Sequence, residues 1–327
     1  MKTLKKIIPV IILIIVLGLF FWHRDRHKIY SMQIFAMDTI VELQAQGTET
    51  LAHTAIINAV QELGRVDSTF GYSDSLVAEL NEKHNISNAE LYDLVNHSLE
   101  VHKASSGAFS ITLRPILDAW GFTGTHPYRI PEQEDFARWK SLPGDESIIL
   151  DADGETIQTR EGSLIDLGGI AKGYAADRAA GVMRKNGITT GLINAGGDII
   201  AFGDKTWRIG IKHPRKPGTF ATLPIKNRAI ATSGDYERFF VENGKRYCHI
   251  LDPATGWPSD RYISVTIVAQ TCADADAWAT ALFVQGIVSL EEVLTAKGMD
   301  WIAIDHEGKV FASPALQEYC PESIVIQ

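Results

Sequence analysis

Oxygen-bearing side chains at helical spacing offer the first chemistry. In TCADADAWATALF (271–283), Asp276 and Thr280 stand four residues apart, which on a helix puts a carboxylate and a hydroxyl on one face, about one turn apart. Such a pair suits a hard divalent cation, with waters and a substrate phosphate completing its shell. Asp274 points elsewhere and belongs with the acids that favour a helix N-terminus. Alone, the pattern also describes an ordinary acidic helix start. In DLGGIAKGYAAD (166–177), a strand ending at Leu164-Ile165 runs into Asp166, a tight Gly168-Gly169 bend and an alanine-rich helix. That junction points backbone groups and a helix N-terminus at a ligand, which suits phosphate. Lys172 in the first turn adds a positive charge; the plainer reading is a tight turn with a solvated lysine.

Two further segments place isolated polar residues beside small ones. In YCHILDPATGWP (247–258), His249 ends a strand at a turn. There an imidazole either serves as a general base near neutral pH or is satisfied by the turn backbone. GLINAGGDIIAFG (191–203) is a β segment broken by Asn194 and Gly196-Gly197-Asp198, which reads as a close backbone approach or as a bulge.

The elements that must position these residues follow from periodicity. IFAMDTIVELQAQG (34–47) alternates as a strand. LAHTAIINAVQELGRVD (51–67) and AELYDLVNHSLEVHKA (89–104) carry apolar residues at helical spacing. Residues 125–147, with three prolines and many charges, read as a surface excursion. Hairpins are expected around Asp153-Gly154 and Asn243-Gly244 and within WIAIDHEGKVFAS (301–313). Ser289-Leu-Glu-Glu292 reads as a capping box opening a late helix. Helices alternating with runs of hairpin strands indicate an α+β fold rather than a doubly wound one.

Composition bounds the rest. The chain has 327 residues, 45% hydrophobic and 22% charged, with net charge −9. This is an ordinary globular balance that argues against a nucleic-acid partner. A polyanionic ligand must therefore be met by local positive charge or a metal. Lys2, Lys5 and Lys6 precede sixteen mostly apolar residues, 7–22, followed by HRDRHK. That run makes roughly 24 Å of helix, slightly short of a ~30 Å hydrocarbon core, with Trp22, Arg24 and Arg26 as interfacial anchors. The run has no small-x-small cleavage site and no lipid-accepting cysteine, so an uncleaved signal anchor over residues 1–28 is expected, followed by one domain over 29–327. Cys248, Cys272 and Cys320 form no CxxC or metal spacing. No GxGxxG, Walker A, HExxH or GxSxG motif occurs, and DADG (151–154) lacks the later ligands of a calcium loop.

Seven stretches occur together in one order: AMDT (36–39), SSGAFSITLRPILDAWGF (105–122), DLGGIAKGYAAD, NAGGDI (194–199), ATSGDYERFF (231–240), HILDPATG (249–256) and ADAWAT (275–280). Together they resemble the ApbE family of flavin transferases, which move FMN from FAD to proteins. The resemblance implies an ApbE-like, T-fold-type arrangement of mixed sheets with packed helices. It further implies Mg²⁺-dependent transfer of FMN to a threonine or serine hydroxyl, with FAD as substrate and AMP released. It places a magnesium-type site at Asp276, Thr280 and the Gly169 carbonyl, and FAD contacts at Asp166, Lys172, Met37, Ala108-Phe109-Ser110 and Ile250. An aromatic at Phe70 or Tyr72, with Tyr72 preferred, would stack on the flavin. Lys172 would add electrostatic stabilisation and His249 would accept the hydroxyl proton. The expected partners are FAD and an acceptor protein in a membrane redox complex, with the domain on the extracytoplasmic side of the cytoplasmic membrane. Two departures stand out: the family commonly has Asp where this chain has Ser110, and often an acid where it has Ala279. An FAD pyrophosphatase and a membrane-tethered flavin binder without turnover are the rival readings.

Overall fold

The computed structural model describes residues 28–71 and 73–326. The expected anchor over residues 1–28 thus lies almost wholly outside the described residues, as does Tyr72. Among the described residues, no helix is long and apolar enough to cross a membrane.

One eight-stranded sheet organises the chain, and its strands lie side by side in the order in which they occur: Ile29–Ala36, Thr39–Gln46, Gly191–Ala195, Asp198–Phe202, Arg228–Gly234, Ser264–Ala269, Asp300–Ile304 and Val310–Ala312. The fold mixes helices and sheets as expected, while every strand pairing among the described residues is antiparallel. Alternation assigns the faces. Val41, Leu43 and Ala45 of the second strand are fully buried and join Ile200 and Phe202 in the larger core cluster with the helices Glu49–Phe70, Ala171–Lys185 and Cys272–Gln285. Ile199, Ala201, Ile230 and Val268 point to the opposite face, where the hairpin Trp207–Lys212/Thr219–Ile225 covers them. Strand Asp198–Phe202 is therefore buried on both faces, and its apolar run DIIAF follows from that.

Several local expectations are corrected. Residues 34–47 are not one strand but two, turning at Met37 (φ 52°) and Asp38 (φ 58°). A two-residue turn with both φ positive matches the twist of the flanking strands. Likewise Gly196-Gly197 turns a hairpin between Gly191–Ala195 and Asp198–Phe202. Among the described residues, Leu164-Ile165 belongs to no strand. Asn81 takes the place of a partner strand, accepting the Ile165 N–H at 2.6 Å and donating to its carbonyl at 2.9 Å. The late helix begins at Ile287, with Gly286 at its N-cap position, and makes no capping box. Residues 125–147 are more than a surface excursion. They contain a helix, Gln133–Lys140, whose Phe136 and Trp139 pack against a cluster built on Trp120, Tyr247 and Leu251. The three expected hairpins and the helix Ala89–Ala104 are present.

Candidate active site

Helices Ala171–Lys185 and Cys272–Gln285 cross where glycine alone fits. A Cβ on Gly173 would lie 2.2 Å from the carbonyl oxygen of Cys272 and 2.8 Å from the nitrogen of Ala273. At this crossing each helix supplies a carboxylate to the other's N-terminus. Asp177 accepts the N–H groups of Cys272 and Ala273, both at 2.9 Å. Asp276 Oδ2 accepts the N–H of Gly173 at 3.2 Å. Free N–H groups and the helix dipole favour negative charge at both ends, although burial pushes Asp177 up to about 6. The Gly173 N–H would ordinarily close the first helical turn on the Gly169 carbonyl. Because it donates to Asp276 instead, that carbonyl is left without its intrahelical partner.

The same crossing gathers the predicted oxygens. Asp276 is 6% exposed and Thr280 follows it one turn later, its Oγ1 3.3 Å from Ser233 Oγ. A Cβ on Gly169 would stand 3.9 Å from Thr280 Oγ1 and 3.0 Å from the Phe109 ring, so a side chain here would press on that ring. Gly169, Asp276 and Thr280 all line one cavity of about 640 Å³. Carboxylate, hydroxyl and carbonyl are hard oxygen donors, the set a Mg²⁺-type ion selects and a thiophilic ion does not. The residues present therefore fit such a cation. Among the described residues, no group of three or more His, Cys, Asp or Glu side chains offers another metal site.

Met37, Ala108, Phe109, Ser110, Asp166, Lys172, His249 and Ile250 line the same cavity. Asp166 is buried and stiffens the turn by accepting the Gly168 N–H at 2.7 Å. Lys172 Nζ pairs with Asp198 and lies 3.7 Å from Asp276. Burial works against its charge, but the two carboxylates outweigh it and hold the ammonium protonated. Burial and the nearby Asp276 charge push Asp198 upward despite its lysine partner. His249 Nδ1 lies 3.2 Å from the Arg238 carbonyl oxygen. A carbonyl only accepts, so Nδ1 carries the proton and Nε2 keeps its lone pair. Burial, reinforced by the Arg238 charge, lowers this imidazole to about 3 and keeps it neutral. Phe70, the alternative to Tyr72 for flavin stacking, is 5% exposed, sits edge-on to Tyr174 and does not line the cavity.

Three acids around the site carried no role in the sequence reading. Asp198 lies inside NAGGDI, and its only signal was a carboxylate beginning an otherwise apolar strand. Asp177 closes DLGGIAKGYAAD four residues after Gly173, a spacing that puts both on one helix face. Asp145, 4% exposed, accepts the Ser110 hydroxyl, the Ile111 N–H at 2.9 Å and the Thr112 hydroxyl at 2.7 Å. It thus brings a carboxylate to Ser110 from 35 residues away. No local pattern announces that. Ala279 is fully buried within its helix and lines no part of the cavity.

A hard-donor set at crossing helix N-termini, with a lysine beside it, is an arrangement that suits an anionic, phosphate-linked ligand. Comparison with known proteins narrows that reading. The ApbE family model matches residues 37–303. The FAD:protein FMN transferase of Escherichia coli (strain K12) is 31% identical over 264 residues, covering 75% of each chain. The crystal structure of the ApbE protein of Thermotoga maritima superposes with a TM-score of 0.84 at 31% identity, covering 90% of this chain and all of that one. The flavin transferase ApbE of Vibrio cholerae gives 0.80 at 26% identity, over 89% of this chain and 99% of its own. The chain belongs to the ApbE family.

Proposed function

We infer that this chain transfers FMN from FAD to a threonine or serine hydroxyl of a target protein, with Mg²⁺ and release of AMP. The observation that carries the reading is the convergence of Gly169, Asp276 and Thr280 beside Lys172 in one cavity, in a chain whose relatives are named FAD:protein FMN transferases. Asp276, Thr280 and the Gly169 carbonyl would hold the cation, which when bound supplies charge neutralisation at the FAD diphosphate. Lys172 presents a fixed positive charge to the same anion, pinned by Asp198. The N-terminus of helix Ala171–Lys185 adds its dipole.

The acceptor oxygen forms a bond to the phosphorus of the FMN half, the bond from that phosphorus to the bridging oxygen breaks, and AMP leaves with the bridging oxygen. His249 Nε2, unprotonated because Nδ1 faces a carbonyl, takes the hydroxyl proton. The free imidazole is a weak base at about 3; an anionic diphosphate in the cavity raises it toward the range in which base catalysis is effective. The ring is positioned and neutral before substrate arrives. Flavin contacts fall to Met37, Ala108, Phe109, Ser110, Asp166 and Ile250, with Tyr72 as the stacking candidate. Residues 29–327 would form the catalytic domain and residues 1–28 its anchor in the cytoplasmic membrane, with the acceptor in a membrane redox complex on the extracytoplasmic side.

Incubating the purified protein with FAD, MgCl₂ and candidate acceptors tests this reading. Equal amounts of AMP and protein-bound flavin fluorescence are expected. AMP with free FMN would make the chain a pyrophosphatase, and FAD bound but uncleaved would make it a binding protein.

A further inference from the structure

The two edges of the main sheet are finished differently. The last strand, Val310–Ala312, has three residues and is closed off by the C-terminal segment: Val310 N–H donates to the Glu322 carbonyl at 2.9 Å, and Ile324 N–H to that of Gly308 at 2.8 Å. The first strand, Ile29–Ala36, has eight residues, IYSMQIFA, with no charge, no proline and no break in register. Among the described residues, no strand pairs with its outer side, and edges of this length left open are usually blunted, because they template pairing with another chain.

Hydrogen bonds at its start show which backbone groups are open. Gly47 N–H donates to the Lys28 carbonyl at 3.0 Å, whereas Gln46 N–H turns the other way, to Thr190, at 2.9 Å. With the register unbroken from Ile29↔Gln46 to Ala36↔Thr39, antiparallel alternation directs the N–H and C=O groups of Ser31, Gln33 and Phe35 outward. Those three side chains are exposed as well. Phe35 is 75% exposed, and its cross-strand partner Ile40 is 64% exposed, an apolar pair standing in solvent. The strand runs directly into Met37, Asp38 and Thr39, which line the cavity.

We propose that the open edge of strand Ile29–Ala36 docks the acceptor protein, whose extended segment adds as a ninth strand along Ser31–Phe35 and delivers its hydroxyl over the Met37–Thr39 turn. The occupant is fixed by continuity: the edge is contiguous with the cavity rim, and an extended segment is the conformation that projects a single side chain into a cleft while its backbone stays outside. Backbone pairing supplies affinity that does not depend on sequence, and the Phe35/Ile40 pair selects an apolar residue beside the modified one. The inference rests on the FMN-transfer reading.

The test uses the protein that the wild-type chain labels with flavin in an extract of its own cells, purified in unlabelled form. Gln33→Pro removes an outward N–H without touching the ladder, and Phe35→Lys puts a charge on the exposed pair. In both variants Tm and FAD affinity stay at wild-type values, KM for the acceptor protein rises about tenfold or more and kcat stays within about twofold. Amide exchange at Ser31, Gln33 and Phe35 slows in the wild-type chain when the acceptor is added. Unchanged KM in both variants, or unchanged exchange at all three amides while flavinylation proceeds, overturns the docking edge and leaves the transfer reading standing. If the wild-type chain labels no protein, the transfer reading fails and takes the docking edge with it.

Discussion

Gly173→Ala separates positioning from stability most sharply. The added methyl would lie 2.2 Å from a backbone oxygen and 2.6 Å from its carbon. An ordinary contact starts at about 3.4 Å, so the two helices must separate by about 1 Å or more, since backbone offers no rotamer to escape through. Alanine recovers about 1 kcal/mol of helix propensity, while overpacking of this kind costs about 1–3 kcal/mol. The net loss is therefore about 0–2 kcal/mol, or a Tm lowered by a few degrees. The rate should suffer far more. Asp276 and Thr280 ride on one helix and Gly169 and Lys172 on the other's entrance, so a displacement of about 1 Å misplaces the oxygens relative to each other and costs on the order of 10²-fold in kcat. Steady-state AMP release and a thermal melt decide the matter together. A variant with wild-type kcat and an equal or higher Tm would refute the claim that this crossing sets the site.

Asp177→Ala should likewise lower Tm by a few degrees and kcat by about tenfold, because two helix N–H groups lose their acceptor, at about 1–3 kcal/mol; thermal melts and AMP assays at pH 7 check it. Asp198→Asn frees Lys172 to engage Asp276, 3.7 Å away; cation affinity should fall several-fold with FAD affinity little changed, which titration of Mg²⁺ against rate will show. Glu62, hydrogen-bonded to Arg65 and, against the cost of burial, to Arg178, is held at about 2 instead of 4.5. The sign follows from proton counting: the native state binds fewer protons than the unfolded chain in this window, so the stabilisation is whole above 4.5 and is lost as pH falls toward 2. Screening at the half-exposed arginines limits it to roughly 1–2 kcal/mol, and Glu62→Gln should flatten the acid limb of a urea-midpoint profile between those values.

What the sequence reveals and what it hides divide along physical lines. Asp276 with Thr280 and Gly168-Gly169 before Lys172 were legible because one turn of helix or one tight bend relates them. Interactions across the fold were not: Asp145 reaches Ser110, and Asp198 reaches Lys172, through the packing of segments far apart in the chain. The turn at Met37-Asp38 stayed hidden because methionine is not a usual left-handed residue and no glycine follows Asp38, so the apolar alternation of 34–47 ran on through it. At Leu164-Ile165 the apolar pair promised a strand, but Asn81 satisfies the backbone that a partner strand would have satisfied. The helix expected from a capping box at Ser289 begins at Ile287, where Gly286 (φ 86°) turns the chain from the buried helix Cys272–Gln285 into a largely exposed one.

The most direct measurement is the Mn²⁺ electron paramagnetic resonance signal, titrated in the presence of FAD, as a count of free ion. Oxygens of Gly169, Asp276 and Thr280 gripping one cation predict a single site in the wild-type chain, weakened at least about tenfold by Asp276→Asn and several-fold by Thr280→Val, with FAD still bound. Equal Mn²⁺ affinity in all three proteins would contradict it.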